Sequence, residues 1–243
     1  KAGLSVHGRL VTAGDITFVA RLYATLSKWS NTLDEDSAIN FGAFMSELMS
    51  YAHAKAVDTN GFLGDGTSTY ARVIGIFNAT SVKTHILGNA TGASATNTGK
   101  DTFGELAYGD LVSAQALIPT SARAGAKWYM HRYVAGIARS LVDTNGRPIF
   151  AVDYVNGKRV ERLLGDPLVE SDVLPSTTAV TTNFAVYGDL RKAMGYGERR
   201  QLRIDNSREA GFANDQTWVR STARRAIGPL DAQCCVILKT STT

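Results

Sequence analysis

The chain has 243 residues, 44% of them apolar, and a formal net charge of +4. That is ample for one large core or two small ones, and the mild basicity tolerates a polyanion nearby without demanding one. No apolar run is long enough to span a membrane, and no signal-peptide pattern opens the sequence.

Residues 1–30 alternate loosely. Ile16, Thr17, Phe18 and Val19, then Leu22, Tyr23, Ala24, Thr25 and Leu26, follow a turn-like Ala13-Gly14-Asp15, which reads as a strand pair or an extended hairpin. Lys1 stands first, so an upstream segment is expected to have been removed or left out. A long helix is predicted next. Phe41, Phe44, Met45, Leu48, Met49, Ala52 and Ala56 recur at spacings of three and four and draw one apolar stripe. Thr32 with Glu35 has the form of a capping box, and Asp34 and Asp36 place negative charge at the first turn. With Gly61 as the stop signal, the helix would cover 36–58 and span roughly 33 Å.

After it comes Gly64-Asp65-Gly66-Thr67. A phosphate loop would need a lysine before the hydroxyl residue, and a calcium loop would need alternating acids closing on a glutamate. Neither is present, so these four residues read as a structural turn with Asp65 bonding nearby backbone amides. A β-prone run, Val73 with Ile74, Gly75, Ile76 and Phe77, follows. Residues 78–100, rich in Thr, Ser, Asn, Ala and Gly, read as a surface excursion between two modules. Leu106, Leu111, Ala114, Leu117 and Ile118 predict a second amphipathic helix, stopped by Pro119. A short strand over 127–130 leads to a third helix bearing Val134, Ile137, Ala138 and Leu141. Asn145-Gly146 marks a turn. Ile149-Phe150, Leu163-Leu164 and 184–187 read as short buried strands, and 201–204, 217–227 and 234–238 as extended segments.

Catalytic constellations are hard to find. His7, His53, His85 and His131 lie in different elements without metal-site spacing, and His53 reads as a surface or interface residue of the long helix. No nucleophile elbow, Cys-x-x-Cys or dinucleotide fingerprint appears. Cys234 and Cys235 are adjacent and would face opposite ways in a strand, as small buried hydrophobes of a reducing compartment. The notable charge feature is a group of arginines: Arg199, Arg200, Arg203, Arg208, Arg220, Arg224 and Arg225. They fit a solvated strand face, a nucleic-acid stripe short of stacking aromatics, or, best, bidentate pairs with acids on neighbouring subunits.

Taken in order, the hairpin with 15–18, the stretches 26–29 and 33–36, the long helix, Gly64-Asp65-Gly66-Thr67, Trp128, the run 141–150, 163–167, 184–189 and the arginine-rich end resemble one known family. The order is similar to that of the major capsid protein of tailed double-stranded DNA phages, with the Hong Kong 97 fold. The resemblance implies an α+β chain with an extended E-loop hairpin (1–24). It implies a peripheral domain with a long spine helix and a long sheet (25–76 and 208–243), and an inserted axial domain (77–207). It also implies a structural protein of the virion, with no catalytic role, cofactor, metal or membrane. Copies would assemble in the host cytoplasm, as pentamers and hexamers, into an icosahedral shell around packaged double-stranded DNA. Portal, scaffold, protease and decoration proteins would be further partners.

Some members of that family weld their shells with lysine–asparagine bonds promoted by a glutamate. The corresponding stretches here, Val11 with Thr12 and 221–224, offer no lysine and no acid, so no covalent cross-linking is expected. Two rivals share the sequence evidence: an encapsulin-type nanocompartment or gene-transfer-agent shell of the same fold, and a soluble α+β enzyme whose groups meet only in space.

Overall fold

The computed structural model describes residues 18–36, 41–88, 99–143 and 145–242. Alternation of side chains along β1 (Arg21–Ser30) gives it one sheltered and one open side, and it pairs antiparallel with β9 (Gln216–Pro229), which pairs in turn with β8 (Met194–Gly211). A second sheet of seven strands runs β2 (Lys83–Ile86), β10 (Cys235–Lys239), β7 (Asn183–Gly188), β3 (Lys127–Met130), β6 (Asp166–Glu170), β5 (Lys158–Leu163), β4 (Phe150–Val155). Of the expected E-loop, residues 1–17 lie outside the described residues, and 21–24 begin β1.

The seven-stranded sheet holds the core. Leu111 and Ala114 of α3 (Tyr108–Leu117) and Val134 and Ala138 of α5 (Arg132–Arg139) pack with Trp128, Phe184, Tyr187, Val236 and Leu238 on one face. On the other face Ile76, Phe77, Ala122 of α4 (Thr120–Arg123), Val186, Ala193 of α6 (Leu190–Ala193), Cys235 and Ile237 form a second cluster. Coverage on both faces explains why the terminal strand is apolar without alternation. It also places Cys234 and Cys235 as buried free thiols. At the sheet's outer edge, β4 and β5 form a hairpin turned by Asn156 and Gly157, both at positive φ. This edge is open, with Val152 at 40% and Tyr154 at 74% exposure; of the buried strand expected at 149–150, Phe150 opens β4 and both residues are half-buried, Ile149 packing against the core.

The long helix, α2 (Phe41–Leu63), has 23 residues and lies about five residues later than predicted. The capping pattern around Thr32 belongs to a separate short helix, α1 (Asn31–Asp36), whose first residue is clasped to the start of β9. Asn31 donates to Asp215 Oδ1, and its own Oδ1 accepts from the Thr217 hydroxyl. Gly61 is not the stop. α2 runs on to Leu63, and the chain turns at Gly64, where a Cβ would sit 2.5 Å from the Asn60 carbonyl and 2.6 Å from that of Val73. The predicted apolar stripe is also only partly buried, since Met49 is covered but Phe44 and Leu48 are each 46% exposed.

Two further expectations change. The run 73–77 forms no strand. Ile74 makes an isolated bridge to Asp65, and Ile76 and Phe77 enter a buried 3-10 turn after two residues, Ala71 and Arg72, at positive φ. The stretch 78–100 is not wholly a surface excursion either, because 83–86 is β2, parallel to β10. Its partner strand lies some 150 positions on, beyond any local signal.

Candidate assembly interface

The three-stranded sheet and α2 define the surface on which the sequence-predicted residues meet. α2 buries three side chains, Met49, His53 and Asn60, two of them polar. His53 Nε2 lies 2.8 Å from Ser221 Oγ on β9, Ser221 in turn contacts Thr25 of β1, and Asn60 donates to the Tyr23 hydroxyl over 2.9 Å. These bonds fix which side of the sheet faces the helix. Tyr23, Thr25 and Ser221 point to α2, so their neighbours Leu22, Ala24, Leu26, Arg220, Thr222 and Arg224 point away.

The cross-strand register extends that outer face onto β8. Leu22, Arg224 and Arg200 stand in one row, Ala24, Thr222 and Arg203 in the next, Leu26, Arg220 and Asp205 in a third, and Lys28, Trp218 and Ser207 in a fourth. Asp205 is held by Arg203 Nε at 2.7 Å and Arg220 Nη2 at 3.3 Å. The two guanidinium groups draw its carboxyl below the ordinary aspartate value, the Arg203 hydrogen bond contributing most. Lys28 Nζ sits 5.5 Å above the Trp218 ring. Leu22 and Leu26 are 58% and 61% exposed.

Arg225 is separated from this group. It faces the α2 side and pairs with Glu198 at 3.3 Å. Arg224 reaches the Ala20 carbonyl, while Arg199, Arg200 and Arg208 meet no carboxylate among the described residues; Arg208 lines a groove with Trp29, Met45 and Thr217. Of the seven arginines, Arg200, Arg203, Arg220 and Arg224 thus share one face. Sequence reasoning missed Leu22, Leu26 and Lys28 beside them, while Trp218 reads from the sequence only as an aromatic near the arginines. The signal of the first three was the alternation of β1, readable only once its partner strand is known.

The turn residues lie elsewhere, at the end of α2. Asp65 Oδ1 accepts from Thr67 N at 2.8 Å, Gly66 has φ +83°, and the bonds to Thr67 hold the Asp65 carboxyl below its ordinary value. Of the histidines, His53 and His85 are buried and His131 caps α5 by accepting from Tyr133 N; His7 lies outside the described residues. No group of three His, Cys, Asp or Glu placed to hold a metal occurs among the described residues. An apolar groove between the end of α2 and the start of β8 is lined by Val57, Phe62, Leu190, Met194, Tyr196 and Ile227.

A basic face with five cations and, in its four rows, one carboxylate suits a protein completed by other molecules, and the comparisons agree. The family model for the phage capsid family matches residues 10–240. The chain belongs to the phage capsid family. No curated protein matches it. Among solved structures it is similar to the capsid of an empty GTA particle, at 20% identity and a TM-score of 0.71, over 99% of this chain and 81% of that one. It is also similar to a protein of Gordonia phage Cozz, at 16% identity and a TM-score of 0.64, over 100% and 79%. A third likeness is to the SrpI encapsulin of Synechococcus elongatus, at 12% identity and a TM-score of 0.62, over 91% and 74%. The α+β architecture is therefore that of phage capsid proteins, and this capsid-family chain is a structural shell protein. No helix of the described residues is long and apolar enough to cross a membrane.

Proposed function

We propose that this chain is a major capsid protein whose copies, as pentamers and hexamers, close an icosahedral shell around double-stranded DNA without covalent cross-links and without catalysis. The observation that carries this reading is the family match across residues 10–240, on a chain whose sheet leaves a basic, leucine-bearing face uncovered. In this account α2 and the three-stranded sheet make the peripheral domain, the seven-stranded sheet makes the axial domain, and residues 1–24 make an E-loop that lies across a neighbour. That moves two boundaries of the sequence reading: β8 crosses the 207/208 division as one strand, and β10 joins the axial sheet.

Subunit contacts of this kind are heterologous, so the rotation imposed by each contact decides whether the shell closes. DNA would be held by sequence-independent electrostatics, and the net charge of +4 favours it. Assembly in the host cytoplasm, with portal, scaffold, protease and decoration proteins as partners, completes the proposal, and the arginines serve neighbouring subunits or DNA.

The likeness to a GTA capsid and to an encapsulin supports a second reading, a shell with a different content. Absorbance at 260 and 280 nm of purified, nuclease-treated particles separates the two. A nucleic-acid-dominated ratio is expected, and a protein-like ratio favours the encapsulin reading. Boiling the same particles in detergent should release 26.1 kDa monomers; a ladder of covalent multimers contradicts the absence of cross-links.

A further inference from the structure

The four rows of the outer face carry five cations, Lys28, Arg200, Arg203, Arg220 and Arg224, against one carboxylate, Asp205, which two of the arginines already occupy. An opposite charge must come from outside the face. A phosphate backbone would answer the guanidinium groups but leave Leu22 and Leu26 in water beside them. Arginine set among exposed apolar side chains is instead the composition of a protein contact, whose core favours Arg over Lys, Asp and Glu.

The chain itself carries exposed acids of the opposite charge. Glu35 and Asp36 of α1 are exposed, and neither forms an ion pair among the described residues. α1 begins where β1 ends, with Asn31 clasped to Asp215 and Thr217 at the end of the sheet. That anchoring keeps its acids at one end of the molecule, exposed and unpaired among the described residues.

We propose that, in the shell, the arginine face of one copy receives Glu35 and Asp36 of α1 from a second copy. This rests on the shell reading above. The contact is heterologous, with unlike patches meeting, so it can repeat around a ring. The leucines exclude water around the charge pairs, which strengthens them.

A charge swap tests it. Particle yield is measured by sedimentation for the wild type, for Arg200→Glu with Arg224→Glu, for Glu35→Lys with Asp36→Lys, and for the chain carrying all four substitutions. Each double variant is expected to lose roughly tenfold or more of its particles, because like charges then face each other across the contact. The fourfold variant is expected to recover most of the yield, which a merely misfolded chain would not do. Absence of recovery overturns the pairing while leaving the shell reading intact. An arginine variant that assembles like the wild type but has lost its nucleic acid overturns it in favour of DNA. A wild type that forms no particles removes both this inference and the shell.

Discussion

His53 is the residue on which the helix–sheet contact turns. Its Nε2 meets Ser221 at 2.8 Å, while Nδ1 is buried without a hydrogen-bond partner among the described residues. Burial first, then the positive charge of Arg225, hold its pKa below the ordinary imidazole value of 6.5. Arg225 is itself paired with Glu198 of β8, and on β1 the Tyr23 and Thr25 hydroxyls share this side with Arg21, which stands opposite Arg225.

The sign follows from linkage. Well above pH 6.5 the imidazole is neutral in both folded and unfolded chains. As pH falls further the unfolded chain takes up the proton and the folded chain resists, so stability drops. The melting temperature of the subunit should therefore fall between about pH 7.5 and about pH 5, and His53→Gln should flatten part of that fall. A variant as acid-sensitive as the wild type would place the titration elsewhere. None of this was legible from the sequence, where His53 reads as a surface or interface residue. The apolar stripe pointed to Phe44 and Leu48, but hydrogen bonds to Ser221 and Tyr23 turn another side of the helix inward.

At the scale of elements, the crossing of α2 over the 64–75 turn is set by glycines at close approach rather than by φ. A Cβ at Gly75 would lie 2.8 Å from the Asn60 and Gly61 carbonyls and from Gly64 N. Gly75→Ala should cost about 1–3 kcal/mol, read as a lower denaturation midpoint with an unchanged slope. Gly136, on the exposed side of α5 with nothing within 4 Å, is the contrasting site. Gly136→Ala should gain roughly 0.5–1 kcal/mol by helix propensity. Equal effects at the two positions would contradict the close packing at Gly75. The elements that local chemistry specifies were readable. The strand at 127–130 and the helix stopped near Pro119 stand where their patterns put them. β2 was not, since four residues between polar stretches become a strand only by pairing with β10. The start of α2 was misplaced because the residues of the capping pattern, Thr32 to Asp36, lie inside a separate helix, α1.

For the whole molecule, the decisive fact is how much apolar and basic surface the chain leaves uncovered. Leu22 and Leu26 on the sheet, Phe44 and Leu48 on α2, and Phe212 at the β8–β9 turn with 89% exposure all face outward. Large exposed apolar surface on a folded chain marks interaction sites. The order of motifs along the sequence pointed to the capsid family, and the family match confirms it. The layout of the arginine face was out of reach, because Arg200, Arg220 and Arg224 come together only through the pairing of β8 with β9.

Electron cryo-microscopy of the purified protein tests the central claim most directly. The account predicts closed icosahedral particles in which the three-stranded sheet of each copy is covered by a neighbouring subunit. Isolated monomers or small open oligomers, with that sheet face bare, would contradict it.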